Sequence, residues 1–368
     1  MMGLSAANPS DYLFMNFETA LGVAIHSTPI FESIKAADSN ARISVACSPV
    51  VAEVLRHNPF VDILAPCQSP LTNLYQGWLS ISDHLRRNLV RPKFGISNAG
   101  NQRTRIAIAN RCLGLHSTIG FTLAPRLYNV SIPYDTSISL IENNHRICGA
   151  LGLDCEVTEP LVSFSPDDLS SAEILVRDGT EVRARRTAIL VTQTSGGQRT
   201  KWIDRRFAEV ADYLSGSLGF RVMFTGMANE AEGVDRIRRL MRSPSVQICG
   251  LTSIPVLSAL MCLADVVVSV DTGPMHLARA SQAPLVVLAP AWQSPIEWLP
   301  LKAPNAIVLR GVDLPHMPED YELSEITVEA VTDAIDVLLT KFPPDPSAAA
   351  FRVRRSGRSK CAAPGSQQ

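Results

Sequence analysis

Short apolar runs alternate with amphipathic stretches along most of this chain. Runs with so little polar interruption are typical of parallel strands that are buried on both faces. They predict strands at 12–17, 42–47, 61–64, 94–97, 118–121, 187–192, 221–225, 246–249, 266–270 and 285–288. Apolar positions at helical spacing predict helices at 25–37, 50–56, 103–113, 137–151, 204–214, 230–241, 254–264, 274–280 and 326–339. The alternation predicts an α/β protein whose parallel sheets are covered by helices.

The stretch 264–288 is the most regular strand, loop, helix and strand unit of the chain. Its first strand is a β-branched run, which the polar Asp271 and the next two residues end, and Pro274 suits the first turn of the helix that follows. Ligands of open α/β sheets bind at the carboxyl ends of the strands, and a helix N-terminus attracts anions. The unit therefore predicts a phosphate site.

The same pattern restarts near residue 187, which indicates two domains. A chain of 368 residues with 46% hydrophobic content is long enough to bury two cores. We predict an N-terminal domain at 1–165, a C-terminal domain at 166–345 and a polar hinge within 165–186. Residues 346–368, rich in Pro, Ser, Ala and Arg, are predicted to be a disordered tail.

Composition narrows the class of protein further. The formal net charge of −1 gives no overall basic excess, so nucleic acid is not a predicted partner. The eight cysteines are scattered without a Cys-x-x-Cys pair, which predicts buried thiols of a cytosolic protein rather than a disulfide framework or a zinc site. We find no signal peptide and no apolar run of about 18 residues, so a cytoplasmic location is expected. No metal site and no cofactor are predicted.

The segment Ser269-Val-Asp-Thr-Gly-Pro-Met-His-Leu-Ala278 closely resembles the nucleotide-sugar motif of glycosyltransferase family 9, the ADP-heptose:lipopolysaccharide heptosyltransferases. Weaker matches are Leu21-Gly-Val-Ala-Ile-His-Ser-Thr-Pro29 to the Gly-Asp-x-x-x-x-x-Pro element and Asn58-Pro-Phe-Val-Asp62 to Asn-Pro-x-Val-Asp. The loop Asn98-Ala-Gly-Asn-Gln-Arg-Thr104 resembles the Arg-containing loop after the fourth strand of the family. Together the resemblance covers roughly residues 12 to 340.

This resemblance implies a GT-B fold, with two Rossmann-like α/β domains whose parallel sheets face a central cleft. It also implies an inverting, metal-independent glycosyltransferase that moves a heptose-like sugar from a nucleotide diphosphate sugar, an ADP-sugar above all. The implied acceptor is a lipid-linked lipopolysaccharide or other cell-envelope saccharide.

Residues for the donor lie after four predicted strands. Backbone donors at the start of the 274–280 helix suit a diphosphate, as do hydroxyls and a lysine in 192–202, where Arg199 is an alternative to the lysine. A carboxylate past the strand 221–225 suits ribose hydroxyls or, equally, a helix N-terminus. The predicted nucleotide-sugar-binding residues are Thr194, Ser195, Lys201, Thr225, Gly226, Glu230, Thr252, Asp271, Thr272, Gly273 and His276.

The catalytic base departs from the family pattern. Members carry an Asp directly after the glycine of the first loop, whereas this chain has Val23, which cannot accept a proton. Glu18 and His26 lie on either side of it, and either is a candidate for a displaced base. The alternatives left open are a catalytically degenerate nucleotide-sugar-binding protein and a sugar-nucleotide epimerase of the same fold, which would need no acceptor.

Basic residues concentrate in the N-terminal half of the chain, at Arg86, Arg87, Arg91, Lys93, Arg103, Arg105 and Arg111. An anionic acceptor or an anionic membrane surface suits such a cluster. Arg103 and Arg105 are the predicted acceptor-binding residues. We expect peripheral contact with the cytoplasmic face of the inner membrane.

Overall fold

The protein is described here by a computed structural model covering residues 11–121, 125–177, 186–194, 201–318 and 321–357. The chain divides into two compact units between Leu161 and Val162. The sequence placed this boundary after residue 165, within a polar hinge. Instead, Pro166–Val176 is a helix of the C-terminal unit, packed against the helix Ile254–Leu263.

The N-terminal unit contains a six-stranded parallel sheet with the strand order β3-β2-β1-β4-β5-β6. Its strands are β1 (Asp11–Asn16), β2 (Arg42–Cys47), β3 (Ile63–Pro66), β4 (Phe94–Ser97), β5 (Ser117–Gly120) and β6 (Val130–Ser131). Its α-helices are α1 (Leu21–His26), α2 (Pro29–Ala37), α3 (Pro49–Leu55), α4 (Leu74–Arg87), α5 (Thr104–Cys112) and α6 (Leu140–Leu151). A single turn of 3-10 helix, Ala99–Asn101, lies between β4 and α5.

The C-terminal unit repeats this plan in the order β12-β11-β10-β7-β8-β9. Its strands are β7 (Thr187–Val191), β8 (Arg221–Thr225), β9 (Val246–Gln247), β10 (Val266–Val270), β11 (Leu285–Leu288) and β12 (Ala306–Leu309). Its α-helices are α7 (Pro166–Val176), α8 (Asp204–Asp212), α9 (Ala231–Leu240), α10 (Ile254–Leu263), α11 (Gly273–Ser281), α12 (Pro295–Trp298), α13 (Val328–Lys341) and α14 (Pro346–Ser356).

The strand predictions are confirmed most sharply where the apolar run is completely buried. The predicted bounds of β2, β4, β8, β10 and β11 are those observed. Both β7 and β10 are buried at every position, as expected for central parallel strands. The sequence pattern missed α4, α7, α12 and α14 and the short edge strands β6 and β12.

Each sheet reverses its direction of growth once, and this reversal positions the candidate site. In the N-terminal unit the chain builds outward from β1 to β3 and then returns to place β4 on the other side of β1. In the C-terminal unit it builds from β7 to β9 and returns to place β10 beside β7. Ligands of such sheets bind outside the carboxyl ends of these two strands. We call the two places the β1–β4 switch point and the β7–β10 switch point.

The prediction of a disordered tail is wrong for its first part, because residues 346–356 form α14. Asp345 caps this helix by accepting a hydrogen bond from the backbone N–H of Ser347, and Pro346 occupies its first turn. One face buries Ala349, Arg352 and Ser356, and the helix packs against α10 and α11. Composition concealed this face because only part of it is apolar. Residues 358–368 lie outside the described part of the chain.

Arg352 gives a test of whether α14 stabilises the C-terminal unit. Its guanidinium is buried and donates hydrogen bonds to the carbonyls of Cys262 (3.0 Å) and Ala264 (2.7 Å), at the end of α10. Hydrogen bonds from a charged group contribute more than neutral ones, so Arg352→Ala should lower the free energy of unfolding by about 2 to 3 kcal/mol. Arg354→Ala, at an exposed position of the same helix, is the matched control. Equal thermal stability of the two variants would show that α14 contributes little.

Candidate functional site

The start of α11 lies at the β7–β10 switch point. The backbone N–H of Asp271 donates to the carbonyl of Leu288 (3.1 Å), which fixes the end of β10 against β11. Thr272 is the N-cap residue, but its side chain makes no capping hydrogen bond. Gly273 then opens the helix and lets a ligand approach the main chain closely. The positive end of the helix dipole thus meets the sheet edge where a ligand of this fold would bind.

Burial sets the charges of the two titratable groups at this switch point. It raises the pKa of the Asp271 carboxyl to about 6, because the charged form loses its water. It lowers the pKa of His276 to about 3, with a smaller contribution from Arg279. His276 is therefore neutral at pH 7 and offers a ligand hydrogen bonds rather than positive charge.

The loop after β7 begins at the same switch point, because β7 and β10 are parallel neighbours. Thr194 is the last residue described before the gap, and Ser195 and Arg199 fall among residues 195–200, outside the described part of the chain. Lys201 follows the gap, and its carbonyl accepts a hydrogen bond from the backbone N–H of Leu323 (3.0 Å). Its ammonium nitrogen is exposed and lies 3.9 Å from a carboxylate oxygen of Glu322, a weak surface pair. The lysine is thus held by its backbone while its charge stays accessible.

Trp202 explains why the backbone of Lys201 is fixed. Its side chain is completely buried and its indole N–H donates to the carbonyl of Ile326 (2.9 Å). Its ring also meets Phe207 of α8 edge to face at 4.9 Å between centroids. Of these two adjacent residues, Lys201 therefore exposes its charge, whereas Trp202 is packed in the core and fixes the backbone.

Glu230, by contrast, already has a structural partner. One of its carboxylate oxygens accepts a hydrogen bond from the backbone N–H of Met227 (2.7 Å). A side chain on Gly226 would meet the same oxygen at 2.7 Å, so the glycine makes room for this contact. Thr225 is buried beside them, and its hydroxyl has no hydrogen-bond partner. The stabilising role at the helix start, which the sequence allowed, is thus observed, while a role with ribose stays a prediction for Glu230, Thr225 and Gly226.

Thr252 lies just before α10, past the end of β9. It is partly exposed, and the nearby Gly250 donates from its backbone N–H to the carbonyl of Gly226 (2.9 Å). Gly250 has a φ of 74°, and a side chain there would meet Ala228 at 2.7 Å. The loops after β8 and β9 therefore pack directly on each other, and Thr252 emerges beside them.

Glu18 lies at the β1–β4 switch point of the N-terminal unit. It follows β1, and its carbonyl accepts a hydrogen bond from the hydroxyl of Ser48. A Cβ atom on Gly100 would lie 2.6 Å from the Glu18 Oε1 atom and would also collide with Val23. The backbone of Gly100 is therefore in contact with both side chains. The Glu18 carboxyl thus reaches the immediate surroundings of position 23.

The Glu18 carboxyl is only 8% exposed, and its electrostatics follow from this burial. Burial raises its pKa to about 7, while the positive charge of Arg103 and a hydrogen-bonding contact from the Asn98 side chain act in the opposite direction. A carboxyl with a pKa near the working pH is suited to general base catalysis. His26, the other candidate, is 1% exposed within α1, and its carbonyl accepts a hydrogen bond from Asn144 (3.2 Å).

The two predicted acceptor arginines behave differently. Both are exposed at the start of α5, which follows β4. Arg105 donates a hydrogen bond from its guanidinium to the carbonyl of Leu71 (2.6 Å), whereas Arg103 faces Glu18 and lowers the pKa of its carboxyl. The structure thus ties Arg103 to the candidate base. Acceptor binding by either arginine stays a prediction.

Sequence reasoning missed Asn98 and Gly100 as members of this site. Both belong to the loop that directly follows the predicted strand 94–97, just as Glu18 follows 12–17. That shared position at the ends of two strands was the available signal. Which strands are neighbours was not visible, however, until the sheet order was known.

No cluster for a metal ion is found in the parts of the chain that the structure covers. Groups of three or more His, Cys, Asp or Glu side chains with suitable spacing do not occur among those residues.

Comparison with known proteins bears on both switch points. The family model for glycosyltransferase family 9 (heptosyltransferase) matches residues 85–326, which include the β4 loop and the β7–β10 switch point. The chain belongs to glycosyltransferase family 9. It is therefore a glycosyltransferase. It is also 24% identical over 341 residues to lipopolysaccharide heptosyltransferase 3 of Escherichia coli, over 86% of this chain and 96% of that protein.

Solved structures of the family share the fold. A glycosyl transferase family 9 protein from Veillonella parvula DSM 2008 aligns with a TM-score of 0.81 at 20% identity, over 92% of this chain and 100% of that one. The E. coli ADP-heptose lps heptosyltransferase II aligns with a TM-score of 0.73 at 19% identity, over 90% of this chain and 99% of that one. The predicted GT-B fold class, with two Rossmann-like α/β units, is confirmed.

Substitutions at the β7–β10 switch point test whether it binds a diphosphate. Gly273→Val should be the most damaging to the binding of a nucleoside diphosphate, because its side chain would occupy the approach to the main chain. Lys201→Ala should raise the Kd by about tenfold, the loss expected for one charge-assisted hydrogen bond to the diphosphate, and Asp271→Ala should raise it through the loss of a hydrogen bond that its carboxyl accepts from a hydroxyl of the ligand. Calorimetric titration with ADP measures this effect.

The matched control is Arg205→Ala, which removes an exposed cation that pairs with Glu209 on the outside of α8. It should leave the Kd unchanged. An unaltered Kd in all three switch-point variants would show that ADP does not bind at the β7–β10 switch point.

Proposed function

We propose that this family 9 glycosyltransferase transfers a heptose-like sugar from an ADP-sugar to a lipopolysaccharide or other cell-envelope saccharide. Its E. coli relative is named lipopolysaccharide heptosyltransferase 3, and two similar solved structures are of heptosyltransferase WaaC with ADP or with ADP-2-deoxy-2-fluoro heptose. The observation that carries the proposal for this chain is the convergence of the α11 start and the loop after β7 at one switch point.

The donor diphosphate would lie at this convergence. The N-terminus of α11 and the Lys201 ammonium would stabilise it when bound, and more strongly when it departs with its full charge. Neutral His276 and the Asp271 carboxyl would hydrogen-bond to the donor, as would Thr194 and Ser195. Thr225, Gly226 and Glu230 would hold the ribose, and Thr252 the base.

Glu18 is the proposed general base. It takes the proton of the acceptor hydroxyl while that oxygen attacks the anomeric carbon of the sugar from the side opposite the diphosphate. The bond from the anomeric carbon to the phosphate oxygen breaks, so the configuration inverts and ADP leaves with the bonding electron pair. Glu18 meets the Gly100 backbone together with Val23, and this shared contact supports the Glu18 carboxyl as the replacement for the missing Asp.

A second candidate function is donor binding without transfer, and Val23 is the observation that favours it. If this valine had removed the only base, the protein would bind the nucleotide sugar and release no ADP with any acceptor. A turnover assay beside calorimetric titration with ADP separates the two functions. Gain of turnover in Val23→Asp alone would favour the binding protein.

The proposed acceptor and location both rest on the attraction between exposed basic side chains and anionic groups. A lipid-linked anionic saccharide is presented at the cytoplasmic face of the inner membrane, where exposed Arg103 and Arg105 would meet its charges. Among the helices of the described residues, none is long and apolar enough to cross a bilayer. We therefore propose a cytoplasmic enzyme in peripheral contact with that membrane.

The replacement Glu18→Gln tests the base. It keeps the shape and hydrogen bonding of the side chain but removes its basicity, so transfer should fall by roughly 10²-fold or more while ADP still binds. In the native protein, kcat/KM should rise with pH and level off above a pKa of about 7, because Glu18 must be ionised to accept a proton. A Glu18→Gln variant as active as the native protein would shift attention to His26.

Thermal unfolding at two pH values gives an independent reading of the same carboxyl. Its folded pKa of about 7 lies above the ordinary value of 4.5, so its contribution to stability is full below pH 4.5 and is lost as the pH rises through 7. Glu18→Gln should therefore match the native Tm at pH 4 and exceed it at pH 8. A lower Tm for the variant at both pH values would contradict the burial of a charged Glu18.

Metal independence is tested by chelation. Helix-terminal amides and Lys201 supply the positive field that a divalent ion would otherwise provide, so EDTA should leave ADP affinity and transfer unchanged. The assay compares EDTA-treated protein with and without added Mg²⁺ or Mn²⁺. Loss of transfer in EDTA with recovery on adding either ion would contradict the proposed mechanism.

A further inference from the structure

Three buried asparagines surround the loop that follows β4, and two of them have an evident structural task. Asn144 of α6 accepts a hydrogen bond from the backbone N–H of Ala99 (2.8 Å) and donates one to the carbonyl of His26 (3.2 Å). Asn101 donates to the main chain of β1 (2.9 Å). These two side chains fix the loop against α1 and β1.

Asn98 has no such task. It is 2% exposed, and neither its amide nitrogen nor its amide oxygen makes a regular hydrogen bond to any of the described residues. It follows β4 directly, at the β1–β4 switch point. A buried amide without hydrogen bonds is unfavourable for folding, so its presence calls for an explanation other than stability.

The neighbour of Asn98 is the candidate base. Asn98 lies beside Glu18, where its amide acts on the carboxyl as a hydrogen-bond donor and lowers its pKa, although the two groups do not have the distance and angle of a regular hydrogen bond. The Glu18 Oε1 atom is also buried without a partner. An amide that can donate thus stands beside a carboxylate that can accept. A hydroxyl group, which accepts through its oxygen and donates through its hydrogen, matches this pair.

Asn110 shows that a missing partner alone does not make a site. It is also buried, and both of its amide atoms lack partners, but it lies in α5 against Gly95 near the start of β4. That is the edge of the sheet opposite to the switch point, and Asn110 therefore serves as a control for Asn98.

We propose that Asn98 and Glu18 together form the site that binds the attacking hydroxyl of the acceptor saccharide. Asn98 donates its amide N–H to the hydroxyl oxygen and orients it, while Glu18 accepts the hydroxyl hydrogen and takes the proton as the oxygen attacks. The inference rests on the proposed function and assigns the nucleophile to two named groups. Asn98 is then a determinant of which acceptor hydroxyl reacts.

The variant Asn98→Leu keeps the number and branching of the side-chain heavy atoms and removes the amide. Transfer should fall by about tenfold or more, as expected when one hydrogen bond to the nucleophile is lost, while the Kd for ADP stays unchanged. Its Tm should equal or exceed the native Tm, because an unpaired buried amide has been removed. Asn144→Leu, which breaks the hydrogen bonds of this side chain to Ala99 and His26, should lower the Tm. Asn110→Leu should leave transfer unchanged.

Measuring acceptor binding tests the role of Asn98 without relying on turnover. Titration with the oligosaccharide obtained by deacylating lipopolysaccharide should show weaker binding to Asn98→Leu than to the native protein or to Asn110→Leu. Should Asn98→Leu be poorly folded, Asn98→Ala, the smaller replacement, is measured instead.

The outcomes separate this inference from the proposed function. If the native protein transfers the sugar and the Asn98 variants bind the acceptor and turn over as well as it does, the inference is overturned and the proposed function stands. Saccharide binding that depends on Asn98, without any transfer from an ADP-sugar, would support the inference and overturn the proposed function. A Tm for Asn98→Leu as low as that of Asn144→Leu would assign Asn98 a structural role and overturn the inference, as would a native protein that binds no saccharide.

Discussion

Parallel pairing of β7 with β10, and of β1 with β4, is the constraint on which both candidate sites depend. Parallel strands end on the same side, so each pairing brings two loops that are distant in sequence to one edge of a sheet. In the C-terminal unit these loops carry Lys201 and the start of α11. In the N-terminal unit they carry Glu18 and Asn98. The residues of the proposed chemistry are therefore placed by backbone hydrogen bonds before any side chain contributes.

Burial then gives the gathered groups their properties. Glu18 and Asp271 both lie close under the surface at a switch point, and desolvation raises the pKa of each carboxyl. The same physics holds His276 neutral. Unfavourable burial of polar groups is common where a site must act on a ligand, and the unpaired amide of Asn98 follows that pattern. At these positions, burial of polar groups lowers the stability of the fold but would suit the proposed function.

Val23 occupies the position at which the family pattern has an Asp. The backbone of Gly100 has no side chain, so the Glu18 carboxyl and Val23 share the space against it. An alanine at position 100 would displace that carboxyl. The proposed base at the end of β1 thus depends on a glycine in the loop after β4, which is a coupling between two loops rather than a property of either.

The sequence determined the parts of this protein that depend on neighbouring residues. Runs such as 221–225 and 266–270 specify buried strands by themselves, and Asp271-Thr-Gly-Pro signals a strand end and a helix start, because β-branched burial and proline geometry act locally. Only the tertiary structure decided the rest. It paired Glu18 with Gly100, gave Glu230 the N–H of Met227, and folded α14 around a buried arginine whose partners are carbonyls of α10. Those outcomes depend on which distant groups the sheet order and helix packing bring together, and no local pattern of apolar and polar residues carries that information.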